Sequence, residues 1–153
     1  NHLQNTMTAT TSTPAEAVFD LDTIEDLDTA DIELLNPKTQ QGTGAFITLA
    51  GPEHPERKAQ TFKLIRKARA DMARNAAAKR GAVRQPDDPE DDMRETIAML
   101  ASITMGWRGI AQGGKPIAFT RQAAIDLYSD PKRQWIVRQL VADMNAVDVF
   151  TKA

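Results

Sequence analysis

Side chains able to do chemistry are scarce in these 153 residues. Only two imidazoles occur, His2 and His54, and cysteine is absent, so thiolate nucleophiles, thiolate metal ligands and disulfides are all missing. His54 stands in Gly-Pro-Glu-His-Pro-Glu, a proline-flanked stretch that predicts a loop, with no second imidazole spaced to share a metal ion or hold a nucleophile. Carboxylates are abundant, but they come in runs. Acid–base catalysis needs an acid set apart in apolar surroundings that shift its proton affinity, and nothing in these acidic runs predicts that. Asp87, Asp88, Asp91 and Asp92 miss the Asp-x-Asp-x-Asp-Gly spacing of a calcium loop. The glycines of Gly42-Thr43-Gly44 and Gly113-Gly114-Lys115 lack the context of a phosphate-binding loop and read as turns. The expectation is a non-enzymatic protein with no catalytic residue, no cofactor and no metal.

Charge is more informative. The net value of −2 conceals three blocks. Residues 16–33 hold eight acids and no base, residues 57–84 hold ten bases and one acid, and residues 87–95 hold six acids and one base. Such a segmented field either folds back on itself or steers a partner of opposite sign. Nine of the bases fall on one predicted helix, which could neutralise several phosphates. Against nucleic acid stand the spread of these bases around the helix, a single aromatic, Phe62, and repelling acids on both sides.

The elements that would carry these groups follow from pattern. The Thr-rich residues 1–15 predict a disordered tail. Residues 16–54 combine the acidic block with a β-hairpin: Ile32, Leu34 and Leu35 precede the Asn36-Pro37 turn, and Phe46, Ile47 and Leu49 follow it. Residues 55–86 predict a basic helix, from near Glu56 to about Arg80, and a linker. Phe62, Ile65, Ala68, Met72 and Ala76 form a narrow apolar stripe on that helix. Residues 87–150 predict a helical module. Its first helix starts at Asp88-Pro89 and ends before Gly106, a short one follows Thr120, and a third starts at Asp130-Pro131. Five of the eight aromatics lie after residue 106, placing the core in this module. The predicted fold is mostly α (α+β by count): an N-terminal β-hairpin, a long basic helix and a C-terminal three-helix bundle. No apolar run approaches the roughly 20 residues of a membrane span, and no secretory leader pattern opens the sequence, so the expected location is the cytoplasm, with no membrane partner.

The C-terminal third carries a resemblance. Gly106-Trp107, Gly114-Lys115-Pro116, Phe119-Thr120, Ala123-Ala124, Leu127-Tyr128, Asp130-Pro131, Trp135 and Phe150 together resemble a pattern in tail assembly chaperones of long-tailed bacteriophages. With the hairpin and basic helix upstream, the likeness spans residues 19–150. It implies an assembly factor in the cytoplasm of the infected cell that coats the long helical tape measure protein until tail tube subunits displace it. On this reading a partner meets Trp107, Ile110, Ile117, Phe119, Tyr128 and Trp135, with electrostatic contact from Lys63, Arg66, Lys67, Arg69 and Arg74. Two other readings stay open: a virion structural protein of tail or head, and a nucleic-acid binder using the basic helix, residues 57–84. A homo-oligomer also stays open.

Overall fold

The computed structural model describes residues 17–78 and 88–153. The predicted disordered tail, most of the predicted linker, and Lys79, Arg80 and Arg84 lie outside the described residues.

The acidic segment runs through a single 3-10 turn, Leu21–Thr23, in which the Asp20 carboxylate accepts from the Asp22 amide at 3.0 Å. Strand β1 (Glu25–Asp26) follows, then β2 (Thr29–Leu35) and β3 (Gly42–Ala50), an antiparallel pair. Alternation along β2 turns Ala30, Ile32 and Leu34 inward, as a half-buried strand requires. Asn36 builds the connection: its side-chain oxygen accepts from the amides of Lys38 at 2.9 Å and Thr39 at 3.3 Å, and its carbonyl accepts from Gln40, which sits at φ 61°.

The C-terminal third departs from a three-helix bundle. Helices take 54% and strands 23% of the described residues, in four α-helices and three small sheets, so the fold is mixed α+β. The deciding element is a third strand. Helix α2 (Pro89–Ile103) stops at Ile103, and Thr104–Arg108 becomes β4, antiparallel to β3 in the order β2-β3-β4. Its cause is the open edge of β3, whose ladder groups need a partner, together with the strand preference of Thr104 and Trp107. Gly106, which the pattern reads as a helix stop, instead lies opposite Thr48 in the ladder. Helix passes to strand with no intervening residue, and a register shift between Thr48 and Leu49 leaves Met105 outside the ladder pairs.

Beyond β4 a small ribbon forms, β5 (Ala111–Gln112) and β6 (Lys115–Pro116), turning on Gly113 and Gly114 at φ 60° and 77°. A two-residue hairpin turn with both central residues at positive φ is the geometry that favours this glycine pair. Helices α3 (Arg121–Ser129) and α4 (Gln134–Met144) complete the body. Caps start the helices that the sequence punctuates: Asp88 accepts from Glu90 at 3.0 Å, Thr120 from Ala123 at 2.9 Å, and Asp130 from Lys132 at 2.9 Å in the 3-10 turn before α4. After a final turn, Val147–Phe150, strand β7 (Thr151–Lys152) pairs with β1.

The core is shared rather than C-terminal. Ile32, Leu34, Ile47, Leu49 and Ala50 from the strands pack in one cluster with Ile97, Leu100, Ile103, Ala124, Tyr128, Ile136, Val137, Leu140 and Phe150. Aromatic density misplaces it because the strands contribute aliphatic side chains. Met93 of α2 stays outside this cluster, 49% exposed. No helix among the described residues is long and apolar enough to cross a membrane.

Candidate interaction surface

Helix α1 (Pro55–Ala78) contains 24 residues and buries none of them. At 1.5 Å per residue it is about 36 Å long. Its sequence explains its persistence: Ala, Arg and Lys are strong helix formers, and no glycine or further proline interrupts it. His54 starts it. The imidazole Nδ1 accepts from the Glu56 amide at 3.1 Å and the His54 carbonyl accepts from Lys58 at 2.9 Å, with Pro55 in the first turn. The one candidate catalytic imidazole among the described residues thus serves as a helix cap.

Arg57 pins the helix to the body. Its guanidinium donates to the Ala50 carbonyl at 3.3 Å and to the Met144 carbonyl, and lies 5.1 Å from the Phe150 ring centre. Burial lowers its pKa from the ordinary arginine value. Further along, Lys67 pairs with Glu95 of α2. Arg57, Gln60, Asp71 and Ala78 are the least exposed residues of α1. Spacings of three, eleven and seven residues return these four to one side of a helix with 3.6 residues per turn. The helix therefore rests on a mixed side, in which Leu64, 52% exposed, accompanies Arg57, Gln60 and Asp71.

Phe62, Ile65 and Met72, the apolar stripe, point elsewhere. They are 55%, 43% and 71% exposed. Fully burying such side chains contributes about 1.5–3 kcal/mol each, so covering this stripe would release several kcal/mol that the isolated chain leaves unused. Arg69 lies within the stripe and Arg66 at its edge, while Lys63 is turned about 100° from Phe62 toward the other flank of the helix. None of these three forms an ion pair among the described residues, whereas Lys67 meets Glu95 and Arg74 meets Asp71. The surface is an apolar line edged by uncompensated positive charge.

The aromatic residues chosen from sequence occupy a different region. Tyr128 is fully buried, its hydroxyl 2.9 Å from that of Thr104, so it offers a partner no side-chain surface. Burial pushes its phenol up to about 12, the Thr104 hydrogen bond acting in the opposite sense. Trp107 is half-buried: its indole donates to the Ile117 carbonyl at 2.8 Å and meets the Phe119 ring edge-on, centres 5.1 Å apart at 82°. The Ile117 amide donates to the Ile110 carbonyl at 2.9 Å, closing the base of the β5–β6 ribbon. Trp107, Ile110, Ile117 and Phe119 thus hold one another, and Trp135 packs partly against the core. Lys63, Arg66, Lys67, Arg69 and Arg74 all lie on α1, an element that carries none of the aromatic set.

A shallow apolar groove of ≈ 570 Å³ lies between α2 and α4, lined by Pro89, Met93, Val137 and Val141 among others. Among the described residues, no three His, Asp or Glu side chains converge as a metal-binding group. No protein-family model matches the chain, and no curated protein or solved structure matches it.

Proposed function

We propose that this chain is a non-enzymatic tail assembly chaperone of a long-tailed bacteriophage, acting in the host cytoplasm. It would hold the tape measure protein until tail tube subunits displace it. The observation that carries this reading is the outward apolar stripe of α1, with Arg69 within it and Arg66 at its edge. A long amphipathic client helix needs a complementary apolar line, with charge to set its register. Reversible capture favours adaptable contacts, and Met72 provides a flexible thioether at the stripe's far end. The C-terminal residues of the family pattern supply a framework on this view: Gly114 turns the ribbon, Trp107 and Phe119 clamp it, and Asp130-Pro131 starts the turn before α4.

The test is capture of the tape measure protein by purified chain. Changing Phe62, Ile65 and Met72 together to Ser is expected to reduce capture at least tenfold, while circular dichroism and the thermal midpoint stay near wild type because all three are exposed. Undiminished capture by the triple variant would refute the role given to α1. Lys63, Arg66 and Arg69 also favour a second reading, phosphate contact. No client capture, with a DNA or RNA shift that weakens steeply with salt, would put that reading first. Abundant chain in purified particles would favour the structural role.

A further inference from the structure

We propose that the outer face of α1 is covered by the acidic segment Ala17–Asp26 of a second copy of this chain, forming a reciprocal dimer. This goes beyond the chaperone reading and shares its surface: a client helix that reaches the same stripe would have to displace the partner's segment. Among the described residues, two exposed surfaces carry opposite charge. The first is the stripe of Phe62, Ile65 and Met72 with Lys63, Arg66 and Arg69. The second lies before β1, where Val18, Phe19 and Leu21 are 89%, 64% and 77% exposed and are interleaved with Asp20 and Asp22. An exposed apolar segment with acids at nearly every other position is the complement of an apolar stripe flanked by bases.

Reach and attachment suit a neighbour. Phe62 to Met72 spans about 15 Å along a helix, and ten residues of partly extended chain cover that length with some to spare, at up to about 3.3 Å each. The segment is held at its far end, where β1 pairs with β7 and the Leu27 amide donates to the Phe150 carbonyl at 2.8 Å. Its apolar residues nevertheless stay exposed in the chain's own fold, and the α1 stripe faces away from the side that rests on the body. Pairing α1 with α1 would set like charges together. Pairing segment with helix across a two-fold axis neutralises both blocks, and symmetry forms the contact twice.

A charge-swap mixture tests this on the full chain. One variant carries Lys63→Glu, Arg66→Glu and Arg69→Glu; the other carries Asp20→Lys and Asp22→Lys. Sedimentation equilibrium should find wild type dimeric at low salt, with the dimer weakening about tenfold or more as salt screens the contact. Each variant alone should be monomeric with unchanged circular dichroism. Mixed one to one they should form a heterodimer, because both contacts regain opposite charges. A wild type that stays monomeric, a dimer that both variants retain, or two monomeric variants that fail to associate when mixed would each overturn the proposal. Capture of the tape measure protein by a wild type that is monomeric would leave the proposed function standing.

Discussion

Tyr128 shows how a single residue can look like a contact and be a keystone. It is the chain's only tyrosine, so its ionisation can be followed without interference. The phenol is held neutral in the fold, raised to about 12 chiefly by burial, against an unfolded value near 10. Stability should therefore be full below about pH 10 and fall as pH rises toward 12, because the unfolded chain releases that proton first. Absorbance at the phenolate band should show one late transition coincident with loss of structure; an inflection near 10 in the folded protein would contradict this. Tyr128→Phe should cost about 1 kcal/mol for the lost hydrogen bond and flatten the alkaline limb, since the Thr104 hydroxyl keeps its bond to the Leu100 carbonyl. The sequence shows Ala124 and Tyr128 one helical turn apart on an inward face, yet Thr104 stands 24 positions away, and only the fold brings the two hydroxyls together. His54 is similar: its proline neighbours mark a loop, but its capping bond is legible only once α1 is known to begin at Pro55.

Among the elements, the edge of β2 depends on one side chain that no pattern singles out. Gln139 of α4 accepts from the Leu35 amide at 3.0 Å and donates to the Glu33 carbonyl at 2.8 Å, standing in for a neighbouring strand where the ladder is irregular. Gln139→Ala should cost about 1–3 kcal/mol and leave two backbone groups open to pairing between molecules. A lower urea midpoint with increased light scattering on storage is the expected result, and an unchanged protein would show that water replaces the amide without penalty. Helix starts are well signalled by Asp88-Pro89, Thr120 and Asp130-Pro131, because caps act through neighbours in sequence. Strand β4 is hidden for the opposite reason: Thr104–Arg108 continues a helical pattern, and its pairing depends on β3, more than fifty residues earlier. The stripe on α1 is legible as a stripe. Its direction, outward rather than inward, follows from Arg57 and Lys67 anchoring the mixed side, which periodicity does not report.

At the scale of the whole molecule, strands and helices share one core, so neither part has enough apolar surface to close alone. A fragment beginning at Asp88 lacks Ile32, Leu34, Ile47, Leu49 and Ala50. It should lose cooperative unfolding in calorimetry while keeping some helical circular dichroism, and a sharp transition from that fragment would show the helices to be self-sufficient. The closing β1–β7 ladder has a mechanical consequence. Glu25 faces Lys152 and Asp26 faces Thr151 in antiparallel register, so the chain leading into β1 and the chain leaving β7 depart from the same side. Tension applied through those two tethers peels the rungs one after another instead of shearing them together. The ladder is therefore the first point to yield, and the Phe150 carbonyl bond to Leu27 is the next link under load, directly beneath the guanidinium that holds α1. A pull on either tether is thereby felt first at the root of the cationic helix, while the three-stranded sheet stays whole.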